Sequence, residues 1–203
     1  MAYRETAQIK ARKSATRAKL FDSARELLLS GGFASVQIEP VARRSGVATG
    51  TVYSYFDSRA ALCRELFVHY TQREVENLRG QFSTSGSAVQ RLERGLQSFI
   101  DRALIRPTLA YALIAEPVDP IVERERLRYR EQYAQFYMQL IREGIAEGTI
   151  PDQHVSISAH ALVGTIAESL IKPAHAGVAE SELPELKTAI VQFCLRAITG
   201  ANP

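Results

Sequence analysis

Apolar residues recur at intervals of three and four along almost the whole chain, the signature of helices with one buried face, and no segment alternates as a strand would. Leu20, Phe21, Ala24, Leu27 and Leu28 hold that spacing up to Gly31-Gly32, a pair well suited to ending a helix, so a first helix is expected over residues 14–30. Phe33 follows as a core anchor. Residues 1–13 are polar and basic without an apolar period and read as a flexible arm. A second helix is expected over 38–45, with Pro40 in its first turn, where a missing amide donor costs nothing, and Gln37 as a poor cap. Gly46 supplies the turn to a third short helix over 48–56.

Asp57-Ser58 caps a fourth helix that begins at Arg59 and carries Leu62, Leu66, Val68, Tyr70 and Val75, before a loop at 81–87. Val89, Leu92, Leu96, Phe99, Ile100, Ala103 and Leu104 mark a fifth helix, closed by Pro107; a sixth is short, over 108–115. Asp119-Pro120 starts a seventh, an acidic cap followed by proline at the first helical position, running to about residue 147. Its first half, 123–131, alternates in charge and reads as solvent-facing. Its second half carries a broad stripe of Tyr129, Tyr133, Phe136, Tyr137, Leu140 and Ile141. An eighth helix over 155–171 is rich in small residues, and a ninth begins near Ser181 with Pro184 in its first turn. The fold class is therefore all-α: a three-helix N-terminal unit with a helix-turn-helix, and a larger helical domain, about nine helices in all, divided at 58/59.

Charge sharpens this picture. The net charge of +3 looks ordinary until the chain is divided. Residues 1–58 hold nine Lys/Arg against five acids, a local +4, and the remainder carries −1. A basic excess confined to one end is a footprint for nucleic acid or an anionic surface, against the plainer reading of a solvated tail. On the third helix, Thr49, Thr51 and Ser54 are small polar side chains of a size to meet base edges, while Tyr53, Tyr55 and Arg59 have the reach for phosphates. Gln37, Gly50 and Arg44 complete this candidate DNA-binding set.

Other chemistries find little support. No nucleophile–base constellation, phosphate loop or cysteine–histidine cluster with metal-ligand spacing is present, and His69, His154, His160 and His175 are scattered, so neither enzyme, metal nor cofactor is expected. Cys63 and Cys194 lie inside apolar helical patterns and read as small buried hydrophobes. No secretory signal or membrane-length apolar run is seen; a cytoplasmic, non-membrane protein is expected.

Residues 20–62 resemble the DNA-binding domain of the TetR family of bacterial transcriptional regulators. Gly32-Phe33, Val41-Ala42, Gly46-Val47, Gly50-Thr51-Val52-Tyr53, Tyr55-Phe56 and Ser58-Arg59-Ala60-Ala61-Leu62 fall in register with that family's pattern. Departures occur at Ala48, where the family often has a capping serine, at Thr49, where a basic residue is common, and at Pro40, where an acid is usual. The resemblance implies that Thr49, Gly50 and Thr51 contact bases, that Tyr53 and Tyr55 bind backbone, and that Arg59 replaces the usual lysine at a phosphate.

The same resemblance implies a homodimer on double-stranded DNA, with a four-helix interface built from the last two helices. Ile157, Ala161, Gly164, Ile190, Phe193 and Ala197 are the candidates, against a plain core role. It also implies a small-molecule effector. Candidates to line its cavity are Phe67, Phe99, Tyr111, Tyr133 and Tyr137, with Arg102, His160 and Glu168 as polar residues able to orient a ligand. The expected function is a dimeric repressor released from a palindromic operator by its effector. The alternative is an effector-less architectural or adaptor DNA-binding protein whose helical domain docks a protein partner and holds no cavity.

Overall fold

A computed structural model describes residues 7–200, and among them every regular element is helical. The order is α1 (Ala7–Ser35), α2 (Ile38–Ser45), α3 (Thr49–Tyr53), α4 (Arg59–Phe82), α5 (Ala88–Ile105), α6 (Pro107–Ile114), α7 (Pro120–Ala146), α8 (Val155–Ala176) and α9 (Leu183–Thr199). A single 3-10 turn, Glu180–Glu182, precedes α9.

Local chemistry accounts for most boundaries. Ser58 Oγ accepts the Ala61 N–H at 3.0 Å and starts α4. Ser87 and Gln90 form a reciprocal capping box that starts α5. Gln37 stands at the α2 cap and makes no side-chain capping bond, as its chemistry led one to expect. Residues 7–13 are helical and not a loose arm: Ala, Gln, Lys and Arg are good helix formers, and an exposed extension needs no apolar face. Residues 1–6 of the expected arm lie outside the described residues.

Gly31-Gly32 does interrupt α1, but the chain re-enters helical geometry for one more turn. Gly32 sits at φ +69°, ψ −170°, a conformation that side-chain-bearing residues rarely adopt, and a Cβ there would lie 2.4 Å from Glu116 Oε2.

Two apolar clusters share α4 and α7. The first gathers Leu20, Leu28, Phe33, Val41, Val52 and Phe56 with Leu62, Phe67 and Tyr129. The second gathers Leu78, Leu92, Leu96 and Tyr137 with the inner faces of α8 and α9. Packing is thus continuous across residues 58/59, and the three-helix unit is seated on α4, α6 and α7. The alternating run at 123–131 does not face solvent throughout. Glu125 and Arg126 are buried. Arg64 Nη2 and Arg128 Nε hold Glu125 at 2.6 and 2.7 Å, and Arg126 donates to the carbonyls of Leu113, Ala112 and Glu116 at the end of α6. Partners on other helices, invisible to local periodicity, bury these charges.

Candidate nucleic-acid interface and interior cavity

Val41, Ala42, Val52 and Phe56 bury one side of the α2–α3 pair, and Ser45 Oγ donates to Ser23 Oγ at 2.8 Å inside the core, fixing α2 against α1. Gly46 takes φ +64° and turns the chain between the two helices. With that side buried, Thr49, Gly50, Tyr53 and Ser54 are left exposed on α3 and just beyond it, and Thr51 and Tyr55 are half-buried beside them. Gly50 has no neighbour within 4 Å of the point where a side chain would begin, so the backbone itself is open to close approach. Gln37 and Arg44 are exposed at the flanks, the first donating to Ala34 O at 2.9 Å and the second paired with Glu26.

Arg59 is placed otherwise than expected. Its Nε donates to Val36 O at 2.8 Å, its Nη2 to Phe33 O at 2.7 Å, and its Nη1 pairs with Asp119 Oδ2 at 3.1 Å. The guanidinium is committed to joining α1, α4 and the start of α7. A cation that sequence reasoning passed over sits nearer the turn. Lys19 Nζ lies 3.9 Å from where a Gly46 side chain would begin, and the only signal for it was the basic excess of the N-terminal quarter.

Behind this unit lies a cavity of about 380 Å³, between α4, α5, α6, α7 and α8. That size is in the range of small-molecule sites. Phe67, Phe99, Arg102, Tyr133 and Tyr137 line it, from among the expected ligand residues. Tyr111, His160 and Glu168 do not. Tyr111 packs its ring 4.5 Å from that of His175. His160 is exposed and pairs with Glu131 at 3.0 Å, and Glu168 is exposed on the same face of α8. A polar residue inside an apolar helical stretch can face out as readily as in, and only the neighbouring helices decide. Leu109 and Leu113 of α6 also line the cavity, and burial holds the hydroxyl of Tyr137 far above its usual pKa, so it stays a neutral donor.

Beyond the end of α6, Glu116 reaches back to α1: its Oε2 accepts the Phe33 N–H and its Oε1 the Ala34 N–H, both at 2.8 Å. The helix that walls the cavity is therefore two residues away from a direct hold on the helix-turn-helix unit.

On the opposite side of α8 and α9, Ile157 (65% exposed), Ala161, Gly164, Phe193 (56% exposed) and Ala197 face outward. Residues 157, 161 and 164 share one face of α8, and 193 and 197 one face of α9. Ile190 differs from the expectation: it is buried with Val191 and Cys194 and belongs to the core. Burial pushes the thiols of Cys63 and Cys194 up to about 11, which keeps both protonated and inert.

Residues 20–66 match the family described as bacterial regulatory proteins, tetR family. A 95-residue stretch is 35% identical to the HTH-type transcriptional repressor KstR of Rhodococcus jostii, spanning 46% of this chain and 42% of that protein. A 110-residue stretch is 26% identical to the HTH-type transcriptional regulator AlkX of Mycobacterium tuberculosis, spanning 53% and 52%. The chain thus matches about half the length of these two relatives. The fold is similar to that of the transcriptional regulator FadR of Bacillus subtilis solved in complex with stearoyl-CoA, with a TM-score of 0.74 at 19% identity, over 89% of this chain and 98% of that one.

Proposed function

We propose that the chain, whose residues 20–66 match the bacterial regulatory proteins of the tetR family, is a regulator of that family: a dimeric repressor, held on a palindromic operator and released when a small apolar effector fills the interior cavity. Two copies, joined through the outward faces of α8 and α9, would set their α3 helices about 34–36 Å apart, one turn of duplex, so that each reads a half-site. Thr49, Thr51 and Ser54 would meet base edges, with Tyr53, Tyr55 and Lys19 on phosphates. The expected location is the cytoplasm.

One observation carries this reading: α6 lines the cavity with Leu109 and Leu113, and Glu116 just beyond it holds the Phe33 and Ala34 amides. An effector that displaces α6 would move the helix-turn-helix with it. Release follows if the effector binds the displaced arrangement more tightly than the DNA-bound one, since only such a difference shifts the balance. The adaptor alternative called for a filled helical domain, and a cavity of this size runs against it. The fold neighbour's stearoyl-CoA makes long-chain acyl compounds sensible first probes.

The test is binding of the full chain to the intergenic DNA upstream of its own gene, by fluorescence anisotropy at several salt concentrations. The expected result is a clear preference over random duplex that persists as salt weakens both. Equal affinity for the two sinks the reading.

A further inference from the structure

Apolar side chains dominate the cavity wall, with Arg73, Asn77, Arg106, Arg126 and Arg130 also lining it, and two of its polar atoms are buried without a partner. Thr71 of α4 is 5% exposed, lines the cavity and has no hydrogen-bond partner for its Oγ1. A threonine inside a helix ordinarily returns its hydroxyl to the carbonyl one turn back, and this one does not. Arg102 of α5 lines the same cavity. Its Nε donates to Glu74 Oε2 at 2.8 Å and its Nη1 to Ser98 Oγ at 2.6 Å, while Nη2 is buried and unpartnered. Thr71 and Glu74 are three residues apart on one face of α4, and both line the cavity, so the Arg102–Glu74 pair lies beside the Thr71 hydroxyl. Buried polar groups without partners weaken a fold, and two on the wall of one cavity call for an explanation.

The chemistry of the two groups selects the occupant. Arginine offers donors only, and a threonine hydroxyl offers one, so both are satisfied by an acceptor oxygen. Glu74 already balances the Arg102 charge, so a neutral carbonyl serves as well as a carboxylate, whereas a cationic or purely hydrocarbon end leaves both donors unmet. Phe67, Leu78, Tyr137 and Ile166 on the wall suit an apolar body.

We propose that Thr71 and Arg102 form the polar anchor of the cavity, and that the effector is a molecule with a long apolar body ending in an acyl group, whose oxygen accepts from Thr71 Oγ1 and Arg102 Nη2. This rests on the reading of the cavity as the effector site and names what that site takes. An acyl oxygen can arrive as a free acid or as a thioester, and the two are separated by experiment.

The full chain is titrated by calorimetry, below micelle-forming concentrations, with dodecanoic acid, with its coenzyme A thioester and with dodecyltrimethylammonium. Wild type, T71V and R102K are compared. The expected result is that the acid or the thioester binds at least about tenfold more tightly than the cation, one hydrogen-bonded acceptor being the difference. Binding of the acid alone assigns a free carboxylate, and binding of the thioester alone a thioester carbonyl. T71V weakens binding about five- to tenfold without lowering the melting temperature of the unliganded protein, because the hydroxyl it removes has no partner there. R102K keeps a cation for Glu74, lacks Nη2 and weakens binding about tenfold.

Three results overturn the anchor: no binding of either acyl probe, equal binding of the cation, or wild-type affinity in both variants. Each leaves the regulator reading standing if the same protein preparation still prefers its upstream DNA over random duplex. Loss of that preference with acyl binding intact supports the anchor and removes the regulator reading instead.

Discussion

Glu116 caps Phe33 from the far side of the chain: its Oε2 accepts the Phe33 N–H at 2.8 Å, 83 residues away in sequence, with Ala34 bonded to the other oxygen. The double glycine at 31–32 breaks α1 and so frees amides at the start of a final turn, and a carboxylate is the group that a helix start prefers. Gly32 is what lets that carboxylate approach. The interruption in α1, the end of α6 and the wall of the cavity are in this way one feature.

Stability should report that coupling directly. E116A leaves two amides without an acceptor and is expected to lower unfolding free energy by about 2–4 kcal/mol. G32A forces a left-handed backbone on a side chain and sets its Cβ against the carboxylate, for about 2 kcal/mol or more. In the double variant the clash is gone, so urea denaturation should give a loss smaller than the sum of the two. Additive losses would mean that the two residues do not act on each other.

Arg59 and Tyr53 should separate cleanly. R59A removes bonds to two backbone carbonyls and Asp119, and is expected to lower stability by about 1.5–3 kcal/mol. Y53A removes an exposed ring and is expected to leave the melting temperature within a degree or two while weakening DNA binding across sequences, with the salt slope unchanged because a neutral side chain releases no counterion. T51A should instead relax base preference. A stable R59A protein with weak DNA binding would return Arg59 to the phosphates.

Much of this was legible in the chain because it is local. Apolar spacing placed eight of the helices to within a few residues, and Ser58 and Asp119-Pro120 marked two of their starts. The helix-turn-helix was readable because Gly46, Val52 and Phe56 allow one packing and leave one face out. What local pattern could not supply was direction around a helix axis where polar and apolar residues mix. Arg59 was assigned by its place in a motif, yet Val36, Phe33 and Asp119 draw it inward. Glu125 and Arg126 sit in a run that looks solvated, yet α4 and the end of α6 bury them. Ile190 and Phe193 share α9, and only the packing of α5 and α8 shows that the first faces in and the second out. The cavity wall takes Thr71 and Arg102 from two helices, about thirty residues apart in sequence, beyond the reach of any periodicity.

The buried carboxylate at Glu125 gives a pH signature. Desolvation pushes its pKa up, but hydrogen bonds and charge from Arg128 and Arg64 outweigh this and hold it below the ordinary 4.5. A depressed folded-state pKa adds stability that is present above the unfolded value and is lost as pH falls through the folded one. E125Q should therefore be less stable than wild type at pH 7, by about 1–2 kcal/mol given how exposed both arginines are. The gap should narrow as pH drops below about 4.5. Melting curves at pH 7, 5 and 3 measure it. A gap that stays constant with pH would show that the lost shape, and not the charge, matters.

The outward face of α8 and α9 makes the oligomer testable at single residues. Ile157 and Phe193 are large apolar side chains left in water, beside small residues at 161, 164 and 197 that permit close approach of a second helix pair. No atom stands within 4 Å of the place where a Gly164 side chain would begin, so a larger residue there fits within one copy and obstructs only a partner. F193D and G164L are accordingly expected to keep the melting behaviour of a folded chain, sediment as monomers, and lose most operator affinity, since one half-site contributes far less than two joined. I190D is the contrast: it places a charge in the core and should unfold the protein outright. Sedimentation velocity on the three variants distinguishes these outcomes, and a G164L protein that remains a dimer would move the interface elsewhere on the surface.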